Sequence, residues 1–221
     1  VLLSTAYLPP ISWFASAAEG FTLSPDKVIP AVVYIEACEN YQKQSYRNRC
    51  RIFSSNGIEN LNVPIVHKDG SFRRPIKEIE VDYSVPWVQK TERAISSAYY
   101  SSPFFEYYKD SIFEVLESRC RSLWELNMSM INVISSKLGL AIDFRETLKF
   151  IPDGSSVNCK DLRNVIHPKK TNTILSQLGL EKPYFQVFSR KYGFMPDLSI
   201  IDLLFCEGPD SILYLKPYIR R

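Results

Sequence analysis

The chain has 221 residues, 45% of them apolar and 23% charged, which is ordinary globular composition and excludes a disordered or fibrous protein. Lys plus Arg at 27 against Asp plus Glu at 24 leaves a net charge of only +3, so a polycationic nucleic-acid binder is excluded on composition. An aromatic share of 13%, with 13 Tyr and 13 Phe, is the unusual feature.

A chain of this length buries roughly three quarters of its unfolded surface and needs neither disulfides nor metal to fold. Val1–Tyr7 reads as a first buried strand rather than a signal peptide, since it lacks a basic lead. Leu8-Pro9-Pro10 ends it, and Ile11–Ala18 follows as a short helix. Val28–Ile35 is a β-branched run of the kind covered on both faces. Arg47–Phe53 and Asn60–Ile65 flank Ser54-Ser55-Asn56-Gly57, a hairpin signature, with Leu61, Val63 and Ile65 on one face and Pro64 marking an edge or end. Lys68–Arg74 reads as a polar loop and Ile76–Val81 as a further strand.

From Pro86 the apolar spacing changes to three and four. One helix is expected from Val88 to Tyr99. A long stretch capped by Asp110 runs to Leu138, with a break near Ser122 and Gly139 as its C-terminal cap. Pro152-Asp153-Gly154-Ser155 is a turn, Thr173–Gly179 a short helix, and Tyr184–Phe188 a strand or a helix start. Ser199–Cys206 is an apolar helix with Asp197 or Ser199 as its N-cap, closed by Gly208-Pro209 before a last turn over Asp210–Leu215. No eighteen-residue apolar run is present, so no membrane-spanning helix is expected. The fold class is α/β or α+β, a Rossmann-like β-α-β start plus hairpin. It is organised as one domain: 1–85 mixed with the hairpin, 86–139 helical, 140–221 mixed.

Five scattered cysteines with no CxxC spacing and only two histidines, His67 and His167, argue for reduced thiols in the cytoplasm and offer no zinc pattern. The densest polar stretch is Glu39 to Arg51. Extended backbone there puts Arg47, Arg49 and Arg51 on one face, where they repel unless met by acids or an anion. Arg forks suit phosphate or carboxylate, with Tyr41 and Tyr46 beside them. The alternative is a solvated face ion-paired to Glu36 and Glu39. Asp161-Leu-Arg163 leads to His167-Pro-Lys-Lys170, an acid, a guanidinium, an imidazole and two amines in one segment. Neither a nucleophile elbow nor a glycine-rich phosphate loop is present, and no cofactor is indicated.

Several stretches taken in order resemble the WbqC-like family of bacterial proteins. They are Ser4–Pro10, Glu39–Arg51, Leu61–Ile65, Ala94–Tyr99 with Ser102–Phe105, Asp161–Arg163 with Pro168-Lys169, and Gly193–Phe205 with Glu207–Pro209. The resemblance implies a setting in surface-polysaccharide (O-antigen) assembly near amino-sugar modification. It marks Tyr7, Tyr41, Lys43, Arg47, Asn48, Arg49, Tyr99, Gln186, Ser199 and Asp202 as family-like positions. The family pattern puts a histidine shortly after the tryptophan matched by Trp87, where this chain has Thr91-Glu92.

The expectation is an enzyme acting on an amino sugar or sugar nucleotide by acyl or aminoacyl transfer. Lys43, Arg47 and Arg49 hold an anionic group, Tyr7, Tyr41 and Tyr46 orient the sugar, and Asp202 or Glu39 takes the amine proton. Asn48, Tyr99, Asp161, Arg163, Gln186 and Ser199 complete the binding set. The competing expectation is a non-catalytic sugar-nucleotide or protein-binding module. A pocket joining Arg47 and Arg49 to Asp197 and Asp202 favours the enzyme, and separation of the two groups favours the module.

Overall fold

The computed structural model describes residues 1–24, 27–67, 73–155 and 159–216. The first strand, β1 (Leu2–Leu3), is much shorter than the sequence suggests. Beyond it the chain leaves the sheet, and Tyr7 N–H donates to the Tyr46 carbonyl instead. Helix α1 (Ile11–Ala17) starts after Pro9-Pro10 and is buried along its whole length. Pro30 divides the expected Val28–Ile35 run into β3 (Lys27–Ile29), which pairs with β2 (Thr22–Ser24), and β4 (Ala31–Ile35).

β4 is the centre of a three-stranded parallel sheet. It pairs with β1 through Tyr34 and Ile35, and along its whole length with β7 (Ile142–Glu146). Only one face of β4 is covered, by α1, while Val32 and Tyr34 remain 40% and 37% exposed; the expectation of two covered faces is corrected. The reason lies in the neighbouring strand, whose Asp143 and Arg145 pair with each other on the outer face. The β1–α1–β4 unit nonetheless gives the parallel β-α-β start of an α/β fold.

β5 (Arg49–Ser54) and β6 (Gly57–Asn62) form the anticipated hairpin, with Gly57 at φ +97° after the turn. Residues 68–72 of the expected polar loop lie outside the described residues. The expected strand Ile76–Val81 is instead a 3-10 turn, Ile76–Glu78, followed by single bridges at Glu80 and Val81. Three amphipathic helices follow: α2 (Trp87–Tyr99), α3 (Phe105–Glu117) and α4 (Leu123–Lys137). Asp110 lies inside α3 and does not cap it. The break falls at Ser122, whose hydroxyl accepts the Glu125 N–H while the Glu125 carboxylate accepts the Ser122 N–H, a reciprocal capping box. Gly139 takes φ +69° at the end of α4.

The last third wraps the core with α5 (Ile174–Gln177), α6 (Ser189–Tyr192), α7 (Ile200–Glu207) and α8 (Ser211–Leu215); Tyr184–Phe188 is irregular. Neither Asp197 nor Ser199 caps α7 through its side chain. The Ser199 hydroxyl donates to the Leu8 carbonyl, and residues 9–11 exchange backbone hydrogen bonds with 198–200, stitching the start of the chain to α7. Apolar side chains from Leu3 to Leu215 form one contiguous buried cluster.

Candidate functional site

All strands of the parallel sheet point the same way, so their carboxyl ends emerge along one edge. Ser4 follows β1, Glu36 follows β4 and Thr147 follows β7. A single parallel bridge from Leu2 to Asp161 brings the Asp161–Arg163 segment to the same edge. Ligands of open parallel sheets bind at this edge.

Two buried guanidiniums organise it. Arg47 donates through Nε and Nη2 to the two oxygens of Glu39 at 2.8 and 2.5 Å, to the Ser4 hydroxyl at 2.7 Å and to the Gln42 side-chain carbonyl at 3.0 Å. Asn127 of α4, fully buried, donates to the Arg47 backbone carbonyl at 2.7 Å. Arg163 makes a fork with Asp161 at 2.9 and 2.6 Å and reaches Glu36 at 2.9 Å and Asp153 at 3.3 Å. Glu36 has no exposed surface; it also accepts from the Thr147 hydroxyl and from the N–H groups of Cys38 and Ile151. The Arg163 hydrogen bonds hold the Asp161 carboxyl below its ordinary range.

Between these pairs lies a cleft of about 310 Å³ lined by Asn40, Tyr41, Gln42, Phe150, Asp153 and Asn164 together with Glu39, Arg47 and Arg163. Phe150 is half exposed and stacks near the Arg163 guanidinium, 5.6 Å from its ring centre. Four carboxylates (Glu36, Glu39, Asp153 and Asp161) meet two guanidiniums at this edge; the cleft lining itself sets Glu39 and Asp153 against Arg47 and Arg163, and the Lys170 ammonium donates to the Asn164 carbonyl beside it. Asp153, with its side chain 70% exposed, is the carboxylate most open to solvent.

The expected row of three arginines is dispersed. Arg49 donates to the Asn62 side-chain oxygen and lines a different cleft with Lys43 and Asn48, whose amide donates to the Val63 carbonyl. Arg51 donates to the Asp197 carbonyl and stacks near Tyr46, whose buried phenol is pushed up to about 12. Tyr7 is enclosed among Thr91, Cys50, Tyr83 and Glu92, away from the cleft, and burial pushes its phenol well up. Thr91 is likewise buried on α2.

Asp202 is also apart from the strand edge. It has no exposed surface and accepts hydrogen bonds from Tyr99 at 2.9 Å, Tyr184 at 2.5 Å and Gln186 at 2.8 Å; burial pushes its pKa up to about 6. Gln186 also exchanges hydrogen bonds with the Met195 backbone, so Tyr99, Gln186 and Asp202 tie α2, α7 and the 184–195 segment together. Asp197, at φ +54°, accepts from the Ser12 N–H and hydroxyl and from Asn172, capping α1 from a distant part of the chain. It lines a third, largely apolar cleft of about 420 Å³ with Leu175, Phe194 and Tyr214.

The structure therefore brings Glu39, Tyr41, Arg47 and Arg163 together with Asp161 behind them, sets Tyr46 against Arg47 and Arg163 in a small cavity beneath, and separates them from Tyr7, Tyr99, Gln186, Ser199 and Asp202. Asn40, Gln42, Phe150, Asp153 and Asn164 join the site without having been singled out. Asn40 and Gln42 sat inside the polar segment 39–51, while Phe150 and Asp153 had no signal beyond a turn. Among the described residues, no group of three His, Cys, Asp or Glu side chains is arranged to hold a metal ion, and no helix is long and apolar enough to cross a membrane.

The family model for WbqC-like proteins matches residues 7–214. A Mycobacterium tuberculosis (strain ATCC 25618 / H37Rv) protein named "Uncharacterized protein Rv1507c" is 28% identical over 198 residues, covering 80% of this chain and 85% of its own. No solved structure matches the chain.

Proposed function

Because the chain belongs to the WbqC-like protein family, we propose that it is a cytosolic enzyme of surface-polysaccharide assembly. Its strand-edge cleft receives an amino sugar and presents the amine for acyl or aminoacyl transfer. The observation that carries this reading is the saturation of both buried guanidiniums by carboxylates. Arg47 and Arg163 are spent on Glu39, Glu36 and Asp161 and act as a rigid frame rather than as anion hooks. What faces a ligand is then the amides of Asn40, Gln42 and Asn164, the Asp153 carboxylate and the half-exposed ring of Phe150, with the buried Tyr41 forming the wall behind them. Amides and carboxylates hydrogen-bond to hydroxyls, aromatic faces take the apolar face of a sugar ring, and the exposed Asp153 carboxylate accepts from an amine N–H.

In the transfer, the sugar nitrogen forms a bond to the acyl carbon of an activated donor, and the donor's leaving group departs with the electron pair of the broken bond. The proton released from nitrogen passes to Asp153, which accepts from Arg163 and Asn164 but keeps its side chain 70% exposed, whereas Glu39 is buried and held at both oxygens by Arg47 and Ser4. That same engagement of Glu39, with the enclosure of Asp202, favours a second reading: a module that binds the sugar without turning it over.

Calorimetric titration with glucosamine and glucose tests the site. The expected result is tighter binding of glucosamine, weakened about tenfold by Asp153→Asn or Asn164→Ala, as loss of a charged hydrogen bond predicts. Equal affinity for the two sugars, or none, refutes the amino-sugar reading. Acylated product in a mass-spectrometric assay with acyl donors separates the enzyme from the module.

A further inference from the structure

Tyr41 is a wall of two clefts. Besides the sugar cleft it lines a second one, also about 310 Å³, with Lys43, Gln44, Asn48, Arg49, Asn62 and His67. Arg47 lines the first cleft with Tyr41 and Arg49 the second, and both guanidiniums oppose the rise that burial causes in its phenol.

The charges lining the two clefts differ: the first pairs Glu39 and Asp153 with Arg47 and Arg163, while the second holds Lys43, Arg49 and His67. Among the described residues no carboxylate lines the second; Asp82, whose charge interacts with His67, is outside the lining. Arg49 is oriented by its Nε bond to the Asn62 oxygen at 2.9 Å and makes no ion pair among the described residues, unlike Arg47 and Arg163. Lys169 adds a further cation at the rim by donating to the Gln44 side-chain oxygen. Cations gathered around a concave surface concentrate anions, and an arginine fork fits a phosphate geometrically.

We propose that this basic cleft is a phosphate subsite, which takes the phosphate or diphosphate carried on the anomeric carbon of the sugar bound across Tyr41. The inference rests on the amino-sugar reading for the location of the sugar; the phosphate subsite itself rests on Arg49 and Lys169. A sugar 1-phosphate and a nucleoside diphosphate sugar share the chemistry it recognises.

Calorimetry with inorganic pyrophosphate, glucosamine 1-phosphate, glucosamine and uridine diphosphate tests it. Pyrophosphate is expected to bind alone, with affinity that falls as salt rises. Arg49→Ala and Lys43→Ala are each expected to weaken it about tenfold, while melting temperature is unchanged. Glucosamine 1-phosphate is expected to bind more tightly than glucosamine in the native protein and no more tightly in Arg49→Ala. Competition by uridine diphosphate supports the subsite and identifies a nucleotide carrier; enhancement confined to the 1-phosphate supports it with a simple phosphate ester. No pyrophosphate binding, or affinities indifferent to both substitutions, overturns the proposal. Failure of the amino-sugar reading is read separately: Asp153→Asn would then leave glucosamine binding as it was while pyrophosphate still depended on Arg49.

Discussion

Replacing Asp202 by Asn tests whether this carboxylate is part of the framework or a poised base. A carboxyl with a pKa of about 6 suits proton transfer, yet Asp202 has no exposed surface and is wrapped by Tyr99, Tyr184 and Gln186. Burial raises its pKa from 3.8 to about 6, and the three donors only partly offset that. The folded state then binds more protons than the unfolded state between these two values. Its contribution to stability is complete below about pH 4, declines as pH rises toward 6 and is flat above. A shift of about two units corresponds to about 3 kcal/mol. Asn does not titrate, so any effect it has on packing is constant with pH. The difference in unfolding free energy between Asp202→Asn and native protein should therefore move by about 2 kcal/mol in favour of the variant from pH 4 to pH 6.5. Urea denaturation of both proteins at half-unit steps measures it. A flat difference refutes the argument, and one that runs the other way would mean that the donors hold Asp202 ionised.

Two substitutions test the frame around the clefts. Arg163→Met strands Glu36, which has no exposed surface, and is expected to cost about 3–5 kcal/mol, lowering the melting temperature by roughly 6–20 °C. Adding Glu36→Gln should restore part of that loss, and a single variant as stable as the native chain contradicts the paired-frame account. Gly208→Ala places a Cβ 2.5 Å from the Phe104 ring at φ +54°, so a loss of about 2–6 kcal/mol is expected in denaturant titration. An unchanged midpoint would show that Phe104 moves aside at no cost.

What the sequence determined by itself is what local spacing encodes. The hairpin around Asn56-Gly57, the helix break at Ser122, the buried α7 and the alternation of Leu61, Val63 and Ile65 all follow from period, cap and turn chemistry within a few residues. The polar segment from Glu39 to Arg51 was legible as special for the same reason, and it does supply Glu39, Tyr41 and Arg47 to the cleft. The tertiary structure alone decided the partners. Glu36 pairs with Arg163, 127 positions away, rather than with a nearby arginine, and Asp197 caps a helix 185 positions earlier. Arg47, Arg49 and Arg51 share a strand parity, but each meets a different neighbour, which leaves one neutralised by Glu39, one bonded to the Asn62 side chain and one serving the Asp197 carbonyl. A side chain's type and period state how it will be buried. Whether its charge is spent or free depends on which strand ends the parallel sheet brings to one edge, and that is set by contacts between segments remote in the chain.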